Sequence, residues 1–559
     1  MQQDSVIPET VDVVVVGSGA AGMAAAITAA HHGLTVVMVE KASRWGGSTA
    51  RSGGGVWIPG NAALGRRSSP DDIDDARAYL ADIVGADVAP EMIDTYLDRG
   101  PAAFEFLARH APLAMRWVPG YSDYYPEAPG GRAGGRSVEP KPFDARGLGD
   151  ELATMEPDYL RAPRNVVLTQ ADFRQIHLGL RNPRSPLRAA RIGARWLGGA
   201  LRGRHLLARG QALSAMLRLG MRDAGVPLLL DTALVELAVA DDRVVGAVVR
   251  RDGAERVISA RRGVILACGG FEHNATMRAR YQREPIGTDW TVGAAANTGD
   301  GIRAGQTIGA ATAFMDDAWW GPSIPLPRTP FFCVSERNLP GSLIVNDRAE
   351  RFMNESLPYV EATHRMYGGR HGRGEGAAEN LPAWLIFDQR YRNRYLFAGL
   401  PPRAPLPRRW FDAGILTRAD TVGALADKIG VPAASLSATI TRFNHFARTG
   451  VDADFGRGTS AYDRYYGDPR QRPNPNLGAL DTGPYYAARL VPGDLGTKGG
   501  LRTDTHGRVL RTDGTTIDGL YAAGNTSAPV MGHTYAGPGA TIGPAIVFGH
   551  LAAVHAATA

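Results

Sequence analysis

VDVVVVGSGAAGMAAAITAAHHGLTVVMVE, residues 11–40, is the stretch that decides the fold class. It has the pattern of an apolar strand, a glycine turn, an alanine-rich helix and a second strand that ends in an acid. In this pattern Gly17 permits the tight turn, Gly19 lets a pyrophosphate approach the backbone, and Gly22 lets the helix pack closely on the sheet. The free N–H groups at the helix N-terminus favour phosphate. The stretch therefore predicts a dinucleotide-binding βαβ unit.

Glu40 narrows the choice of dinucleotide. Its carboxylate follows the apolar residues 36–39 and can accept hydrogen bonds from both ribose hydroxyls, which a 2′-phosphate would forbid. FAD or NAD is therefore favoured over NADP. GxGxxG also occurs by chance in a chain with 69 glycines, so the flanking strands and the acid carry this prediction.

Length and composition fit a two-domain enzyme, because 559 residues exceed what one core usually organises and 44% hydrophobic residues suffice for two cores. The first residues, MQQDSVIPET, lack the basic and apolar regions of a signal peptide, and no apolar run approaches the roughly 20 residues of a membrane span. We therefore expect a cytoplasmic protein. Cys268 and Cys333 are the only cysteines and lack metal-ligand spacing, so we expect core thiols, no disulfide and no metal site.

Several later segments predict returns to the nucleotide-binding domain. Residues 226–253 predict a meander of strands, residues 261–274 a buried strand, and residues 297–310 a polar loop before a helix. Residues 517–557 predict a strand and a helix that begins in glycine. Residues 320–492, which separate these returns, are richer in proline and aromatic residues.

The scattered returns predict an α/β fold in which a Rossmann-like FAD-binding domain is interrupted by an α+β catalytic cap domain. The predicted bounds are 1–319 for the FAD-binding domain, with an arginine-rich insertion at about 173–210, then 320–492 for the cap and 493–559 for the C-terminal part of the FAD-binding domain. No second GxGxxG follows a predicted strand, so we expect no separate nicotinamide domain. Electrons must then pass to an external acceptor such as a quinone, a dye or oxygen.

Positive charge is concentrated between residues 173 and 222, a segment without Asp or Glu. Its eleven arginines exceed the formal net charge of +6 of the whole chain. They are Arg174, Arg181, Arg184, Arg188, Arg191, Arg195, Arg202, Arg204, Arg209, Arg218 and Arg222. From residue 187 a helical period places two sets of side chains on different faces: Arg188, Arg191, Arg195 and Arg202 against Ile192, Trp196, Leu197 and Leu201.

Two interpretations of this helix remain open. A cationic helix with Trp and Leu on its other face suits an anionic membrane surface, which residues 185–204 would contact from the inner side of the membrane. A solvated arginine-rich helix is as compatible with a chain that has only four lysines. We expect no nucleic-acid partner, because no aromatic stacking platform or binding motif accompanies the arginines.

The order of several motifs resembles the succinate dehydrogenase and fumarate reductase flavoprotein superfamily over nearly the full length. These motifs are GGSTARSGGG (46–55), VILACGGF (264–271), VNDRAERFMNES (345–356) and GLYAAGN (519–525). Within the superfamily the chain is similar to the 3-ketosteroid Δ1-dehydrogenases. That closer match is carried by YSDYYPEAPGGRAGGRSVEP (121–140), NESLPYVEA (354–362), PGDLGTKGGLRTD (492–504) and PVMGHTYAGPGATIGPA (529–545). The arginine-rich insertion lies outside the core pattern and resembles versions that act on sterols with a side chain, such as cholest-4-en-3-one.

The resemblance implies FAD-dependent 1,2-desaturation of a 3-ketosteroid, with an α-proton passing to a tyrosine base and a β-hydride to flavin N5. A tyrosine can donate to a carbonyl and, when ionised, can accept a proton. Tyr359 matches the family's base and Tyr124 matches the tyrosine that tunes it, although the sequence leaves the adjacent Tyr125 as an alternative. Tyr535 and the backbone N–H of Gly539 match the pair that holds the ketone oxygen.

The loop that carries this pair departs from the usual family form, since Ala536 stands where proline is usual, and we expect a less rigid loop. Four aromatic residues are candidates for the wall of the steroid slot, with plain core packing as the alternative: Trp319, Trp320, Phe331 and Phe332.

The same motifs predict the residues that contact FAD. They are Gly17, Gly19, Ala20, Ala21, Gly22, Glu40, Lys41, Gly47, Ser48, Thr49, Ser52, Gly53, Gly54, Val235, Gly269, Gly270, Asn297, Gly299, Asp300, Gly524, Asn525, Thr541 and Ile542. Membrane-bound members of the superfamily link FAD covalently through a histidine where Ser48 stands here, so the resemblance implies non-covalent FAD.

A fumarate reductase is the nearest rival. The resemblance puts its arginine proton donor at Tyr359, and its dicarboxylate-binding histidine and arginine at Met531 and Tyr535, so affinity for a dicarboxylate should be negligible. A 3-ketosteroid Δ4-(5α)-dehydrogenase shares the chemistry at another ring position, and the motif around Tyr535 matches the Δ1 group better. A flavin-bearing membrane-surface protein that binds sterol without turnover is a further alternative, against which the tyrosine motifs argue.

Overall fold

The computed structural model describes residues 6–65, 73–159 and 166–559. Within them, the strands in chain order are β1 (Thr10–Val16), β2 (Val36–Val39), β3 (Val56–Trp57), β4 (Met115–Trp117), β5 (Ser137–Pro140), β6 (Phe143–Asp144), β7 (Leu206–Leu207), β8 (Leu228–Leu229), β9 (Ala233–Ala240), β10 (Arg243–Arg251), β11 (Ala254–Leu266), β12 (Thr312–Ala313), β13 (Ala318–Ile324), β14 (Phe331–Phe332), β15 (Ser342–Val345), β16 (Ala383–Asp388), β17 (Leu416–Ala419), β18 (Tyr485–Thr497), β19 (Gly500–Leu501), β20 (Arg508–Leu510) and β21 (Thr516–Ala522).

The α-helices of the same residues are α1 (Ala20–His31), α2 (Gly47–Arg51), α3 (Ile73–Val84), α4 (Pro90–His110), α5 (Gln170–Ile176), α6 (Ser185–Leu201), α7 (Arg209–Asp223), α8 (Ala275–Tyr281), α9 (Asp300–Thr307), α10 (Tyr359–Tyr367), α11 (Gln389–Arg394), α12 (Arg408–Asp412), α13 (Val422–Ile429), α14 (Ala433–Thr449), α15 (Ala461–Tyr466) and α16 (Ile542–Thr558). Short 3₁₀ turns lie between them.

The larger sheet collects the segments that were predicted to return to one domain. Its strand order is β20-β21-β11-β1-β2-β8, and β10 and β9 continue from β11. β1 pairs in parallel with β2 and β11, and β11 pairs in parallel with β21. The valines of β1 and β2 are buried almost throughout, as a parallel sheet covered on both faces requires. This arrangement confirms the predicted α/β fold with a Rossmann-like FAD-binding core.

Helix α1 and strand β11 connect the layers of this core. α1 is rich in alanine, is buried over ten of its twelve residues, and packs against α16 and α7. β11 is long enough to serve two partners, since its first half pairs antiparallel with β10 and its second half pairs in parallel with β1. The predicted meander therefore joins the parallel core without a break.

A second, largely antiparallel sheet has the order β14-β13-β18-β16-β15, with β17 paired to β18. Helix α10 packs across β13, and α13 and α14 bury their apolar faces with β15 and β16. Residues 421–449 form two helices, because Gly430 ends α13 in the left-handed conformation and Pro432 precedes α14.

The predicted domain boundaries fall inside strands of this second sheet. β13 begins at Ala318, before the boundary at 319, and β18 continues to Thr497, beyond the boundary at 492. Composition changes gradually along both strands because each is buried over most of its length. The division of the chain into two domains stays a prediction. A boundary that kept both strands whole would lie before Ala318 and after Thr497.

The described residues between β2 and β8 form a further part of the fold, which contacts helices α1 and α16. They include the three-stranded sheet β3-β5-β4, the long helices α4 and α7, and the paired helices α5 and α6. None of the helices in the described residues combines the length and the apolarity needed to cross a bilayer.

Candidate active site

A cleft of about 410 Å³ runs from the N-terminus of α1 to the loop that precedes α16. It gathers most of the residues predicted to contact FAD. Those that line it are Gly17, Gly19, Ala20, Ala21, Glu40, Lys41, Gly47, Ser48, Thr49, Ser52, Gly53, Gly54, Gly269, Asn297, Asp300, Gly524, Asn525, Thr541 and Ile542. Segments that are far apart in sequence therefore face one elongated space.

Two predicted FAD contacts, Gly22 and Gly270, serve backbone packing behind the wall of the cleft. A Cβ at Gly22 would lie 2.0 Å from the carbonyl oxygen of Gly17, and one at Gly270 would lie 2.1 Å from the hydroxyl of Thr497. The position of Gly22 agrees with its predicted role in bringing the helix close to the sheet.

Two further predicted contacts, Val235 and Gly299, also stand back from the cleft. Thr232 and Leu234 line it beside Val235, and sequence reasoning missed both because strand periodicity does not tell which residue of β9 faces a ligand. Gly299 has φ 78° and precedes α9, so it shapes the loop that presents Asp300.

The glycines at the cleft fit an extended ligand that lies against backbone. Gly17 has φ 103°, and a Cβ there would lie 2.4 Å from the carbonyl oxygen of Ala267. Gly54 has φ 67°, and a Cβ there would lie 2.4 Å from the backbone of Arg209. A side chain at either position would push the two walls apart, so the cradle depends on glycine.

Glu40 and Lys41 give the nucleotide end of the cleft its polarity. The Glu40 carboxylate accepts hydrogen bonds from the backbone N–H and the hydroxyl of Ser18, at 3.0 and 2.7 Å, which fixes its orientation at the end of β2. Lys41 forms an ion pair of 2.6 Å with Asp300. The lysine charge is thereby matched, and Glu40 is left as the acceptor that suits ribose hydroxyls.

Ser48, which lines the cleft, is connected through Asn297 to the buried Glu272, which sequence reasoning missed. The Ser48 hydroxyl accepts from the backbone N–H of Ala294 and from the side-chain amide of Asn297, both at 3.0 Å. That amide also donates to Glu272 at 2.7 Å. Burial, with a contribution from the nearby Asp494, raises the pKa of Glu272 to about 7. Glu272 lies two residues after Gly270, in the loop that follows the buried strand β11, and an acid at this position was the available sequence signal.

Three tyrosines from separate segments meet at the other end of the cleft. The ring of Tyr124 lies 5.3 Å from that of Tyr359 and 5.1 Å from that of Tyr535, and the rings of Tyr359 and Tyr535 are 5.6 Å apart. The Tyr124 hydroxyl donates to the Tyr359 hydroxyl at 2.8 Å. All three side chains are buried and line the cleft together with Gly539. The structure thus brings together the four predicted catalytic residues.

Backbone hydrogen bonds hold two of these tyrosines in register. The backbone N–H of Tyr124 donates to the carbonyl oxygen of Ala536 at 3.0 Å, and the Tyr79 hydroxyl donates to the same oxygen at 2.7 Å. Ala536 itself is fully buried. Two donors therefore fix the carbonyl group of Ala536, and the less rigid loop expected in the absence of proline stays a prediction.

Burial favours the neutral forms of both Tyr359 and Tyr535. Burial, together with the neighbouring Tyr535, raises the pKa of Tyr359 well above its usual value of 10, and the hydrogen bond from Tyr124 opposes that rise. Burial also raises the pKa of Tyr535, whose hydroxyl accepts from Thr541 at 3.0 Å. A donated hydrogen bond therefore favours ionisation at each of the two oxygens, against the effect of burial.

The choice between Tyr124 and Tyr125 is decided by direction. Tyr125 donates to the carboxylate of Glu361 at 3.0 Å, away from the hydroxyl of Tyr359. Tyr124 is the one in contact with Tyr359.

Of the four aromatic candidates, two lie at the tyrosines. Trp319 lines the cleft with its ring 4.9 Å from Tyr535, and the ring of Phe332 lies 5.1 Å from Tyr359. Trp320 points away and donates to Asp317 at 2.6 Å, and Phe331 packs in the core of the second sheet. Alternation along β13 explains why neighbouring tryptophans differ.

Sequence reasoning missed further aromatic and thiol groups of the cleft. Tyr121 lines it and accepts a hydrogen bond of 2.7 Å from Tyr466 of α15. Both lie in tyrosine-rich motifs, residues 121–125 and 462–466, which was the available signal. Cys333 is a core thiol as expected, whereas Cys268 lines the cleft, where burial raises the pKa of its thiol to about 11.

Helix α6 divides its arginines between the protein and solvent. Arg188 and Arg195 form ion pairs with Asp172 at 2.5 and 2.7 Å, and that carboxylate is buried. Ile192, between these two arginines, is also buried, whereas Arg191 and Arg202 are exposed. Leu197 and Leu201 are 52% and 78% exposed. A buried carboxylate requires counter-charge, so Asp172 draws Arg188 and Arg195 inward and leaves the two leucines outward.

Four other arginines of this segment form ion pairs within the described residues. Arg181 pairs with Asp468, Arg204 with Asp144 at 3.8 Å, Arg209 with Asp158 at 3.3 Å, and Arg218 with Glu151 at 2.6 Å. The charge that is concentrated in the sequence is therefore partly compensated in the folded chain.

Comparison with known proteins agrees with this site. The FAD binding domain family matches residues 12–542. The chain is 61% identical over 551 residues to 3-oxosteroid 1-dehydrogenase of Mycobacterium tuberculosis H37Rv, which covers 98% of each chain. It is 60% identical over 554 residues to the enzyme of that name in Mycolicibacterium smegmatis, covering 98% of this chain and 97% of that protein.

Among solved structures, 3-ketosteroid Δ1-dehydrogenase from Sterolibacterium denitrificans, in complex with 1,4-androstadiene-3,17-dione, superimposes with a TM-score of 0.91 at 40% identity. The match covers 98% of this chain and 100% of that one. The glycine cradle, the Glu40 carboxylate and the family match agree on the cofactor, which is FAD. The chain belongs to the 3-oxosteroid 1-dehydrogenase family of flavoproteins.

Proposed function

We propose that this chain catalyses FAD-dependent 1,2-desaturation of ring A of a 3-ketosteroid. The observation that carries the proposal is the contact of Tyr124, Tyr359 and Tyr535 at the end of the cleft whose other end suits a dinucleotide. A flat apolar substrate fits among aromatic rings that offer hydroxyls at its polar end.

The reaction removes a proton from C2, next to the ketone, and a hydride from C1 as the C1=C2 bond forms. FAD, when bound, supplies the acceptor for the hydride and its two electrons. Tyr359 acts as the general base in its ionised form, and the hydrogen bond donated by Tyr124 stabilises that negative charge. The ionised Tyr359 then takes the C2 proton. Protonated Tyr359 then returns its proton to solvent.

The ketone oxygen gains negative charge as the C2 proton leaves. Tyr535 and the backbone N–H of Gly539 serve as its two donors, and one such donor contributes about 3 kcal/mol in comparable sites. The requirement for glycine at 539 supports this role, because φ is 96° and a Cβ would lie 2.4 Å from the backbone of Gly55. Residues 320–492 serve as the cap that carries Tyr359 over the cleft.

The rival activities differ from the proposed one either in the charge of the substrate or in the ring position that loses hydrogen. A dicarboxylate would meet the phenol of Tyr359 and the buried thioether of Met531 in place of cations, so fumarate binds poorly. Removal of hydrogen at C4 and C5 would yield a different product from the same contacts. Electrons leave to an external acceptor, of which a membrane quinone is the proposed one, and FAD is held without a covalent bond.

We also propose that α6 lies on an anionic membrane surface on the inner side of the membrane. Leu187, Leu197 and Leu201 are each more than half exposed, and Trp196 is 41% exposed, so their apolar side chains form an outward stripe. The exposed Arg184, Arg191, Arg202 and Arg204 surround that stripe and suit anionic headgroups. In this orientation the exposed leucines face the membrane. The proposed partner is still the anionic membrane surface.

Anaerobic mixing with a panel of ligands tests the activity. A 3-ketosteroid should bleach the oxidised flavin band, and the product should carry the new double bond between C1 and C2 when analysed by NMR. Succinate and NADH are the matched negative ligands, because succinate is the electron donor that would bleach the flavin of a fumarate reductase. Bleaching by NADH alone, or a product unsaturated at C4 with C1 unchanged, would exclude the Δ1 activity, and comparison of cholest-4-en-3-one with a steroid lacking the side chain would define the preferred substrate.

A further inference from the structure

Three histidines and two carboxylates gather behind Tyr359 and Tyr535, outside the lining of the cleft. Glu361 and His364 lie on α10, and His371 follows in the turn Arg370–Gly372. One potential ligand atom from each of these three residues lies within 4.8 Å of the others. Asp87, His371 and His533 form a second triad by the same measure, so His371 belongs to both. We call these five residues the α10 histidine cluster.

His364 has the orientation that metal-binding histidines usually have. Its Nε2 lies 3.0 Å from a carboxylate oxygen of Asp317, which fixes the ring. Its Nδ1 has no hydrogen-bond partner within the described residues, although the side chain is only 3% exposed, and the carboxylate of Glu361 lies 4.0 Å away. A carboxylate on one ring nitrogen and a free second nitrogen is the arrangement that prepares histidine to ligate.

His533 repeats this arrangement from the opposite side. Its Nδ1 lies 2.7 Å from a carboxylate oxygen of Asp87, and its Nε2 also has no hydrogen-bond partner within the described residues. The ring is buried and stacks on that of His371 at 5.0 Å. His364 therefore leaves one buried nitrogen without a hydrogen bond beside His371, whereas Nε2 of His533 faces the Asp316 carboxylate at 3.8 Å.

His371 lies at the centre of the cluster and connects it to solvent. Its φ is 55°, in the left-handed region, which histidine adopts more often than most non-glycine residues. Its side chain is only partly buried, which gives the cluster a route to solvent.

We propose that Glu361, His364 and His371 bind one divalent transition-metal ion, with Zn²⁺ as the best match, and that a water molecule completes a tetrahedral site. Imidazole and carboxylate donors without thiolate suit Zn²⁺. Ligands about 2.0–2.1 Å from one ion lie about 3.4 Å apart, so rotation of the half-buried Glu361 and His371 side chains must close the site slightly.

A bound ion would restrain two segments that carry active-site groups. One is α10, which begins at Tyr359. The other contains His533, whose ring stacks on that of His371 and which precedes Tyr535 by two residues. The ion would also compete with Tyr125 for the carboxylate of Glu361, which that hydroxyl contacts at 3.0 Å. The inference concerns binding at these residues, and its test does not depend on steroid turnover.

The experiment uses the untagged, FAD-loaded full chain, freed of metal by a chelator and titrated with Zn²⁺ by calorimetry, with metal analysis after desalting. We expect one retained Zn²⁺ per chain and a rise in Tm. His371→Asn and Glu361→Gln should each weaken binding at least tenfold and abolish the rise in Tm. Asparagine tolerates the left-handed backbone, so His371→Asn removes the ligand without straining the turn.

His445→Asn is the matched control, because His445 is an exposed histidine on α14 outside the cluster. It should bind Zn²⁺ as the wild type does. Failure of the wild type to retain Zn²⁺, or equal affinity of the wild type and both cluster variants, would overturn the proposal. The five residues would then be a metal-free network in which the His533 ring bridges Asp87 and Asp316.

Discussion

At the scale of single residues, burial controls what each tyrosine can do. Tyr359 and Tyr124 share a hydrogen bond, and burial holds both phenols neutral, with the pKa of each well above 10. Donation from Tyr124 to Tyr359 is the directional element, because it favours charge on one oxygen over the other. The assignment of base and tuning residue follows from that direction.

The variant Tyr359→Phe tests the base. It keeps the ring and its contact with Phe332 while removing the hydroxyl, so steroid binding should survive. The rate of flavin reduction in single-turnover mixing should fall by roughly 10² to 10⁴, the usual contribution of general base catalysis. Tyr125→Phe is the control and should change the rate little, because Tyr125 contacts Glu361. A Tyr359→Phe rate near that of wild type with a raised KM would reduce Tyr359 to a wall of the pocket.

The pH dependence follows from the raised pKa of Tyr359. Its neutral form is favoured in the folded protein, so the phenolate fraction is small at neutral pH and increases about tenfold per pH unit below the pKa. The logarithm of the flavin-reduction rate should therefore rise with pH from 7 towards 10 without levelling off. Tyr124→Phe removes the stabilising donor, and its profile should lie below that of wild type throughout. A plateau below pH 9 in the wild type would show that the base is another group.

At the scale of secondary-structure elements, α6 shows how one buried acid sets the orientation of a helix. Asp172 belongs to α5 and lies just outside the acid-free segment of the sequence. Its two ion pairs with Arg188 and Arg195 anchor α6. Replacing those arginines would leave a buried carboxylate unpaired, which destabilises strongly, so they are unsuitable probes of membrane contact.

The outward apolar stripe offers the clean test of membrane binding. Leu197→Glu combined with Leu201→Glu should abolish co-sedimentation with anionic vesicles and slow turnover of vesicle-borne sterol. Turnover of a soluble short-chain ketosteroid should be unchanged. Val239→Glu with Val257→Glu is the matched control, since these valines are similarly exposed on the larger sheet. Equal vesicle binding by both double variants at low salt would make α6 an ordinary solvated helix.

At the scale of the whole molecule, the cleft depends on segments from both ends of the chain. Residues before position 60, around 270–300 and after 520 supply much of its walls, and β13 and α10 contribute Trp319 and Tyr359. Bound FAD would therefore contact parts of the chain that are far apart in sequence. Ligand that binds only the folded state stabilises it by mass action.

Removal of the cofactor tests both attachment and stability. Acid precipitation should release all flavin into the supernatant, because Ser48 cannot form the histidyl link of the superfamily's membrane-bound members. The FAD-free protein should unfold at a lower Tm, and FAD at about a thousandfold excess over Kd should restore about 4 kcal/mol of stability. Flavin that stays with the precipitated polypeptide, measured against a free-FAD standard, would contradict non-covalent binding.

The sequence alone determined the FAD-binding core and the catalytic tyrosines as candidates, because the glycine fingerprint and the tyrosine motifs are local patterns whose spacing carries their meaning. Tertiary structure decided what local patterns cannot encode. The Tyr124 hydroxyl contacts Tyr359, which distinguishes Tyr124 from Tyr125. Asp172, a buried acid in another helix, sets the orientation of α6. Glu272 and Cys268 lie near the cofactor cleft. Each of these depends on contacts between distant segments, whose energies are set by burial and by which partner lies within hydrogen-bonding distance.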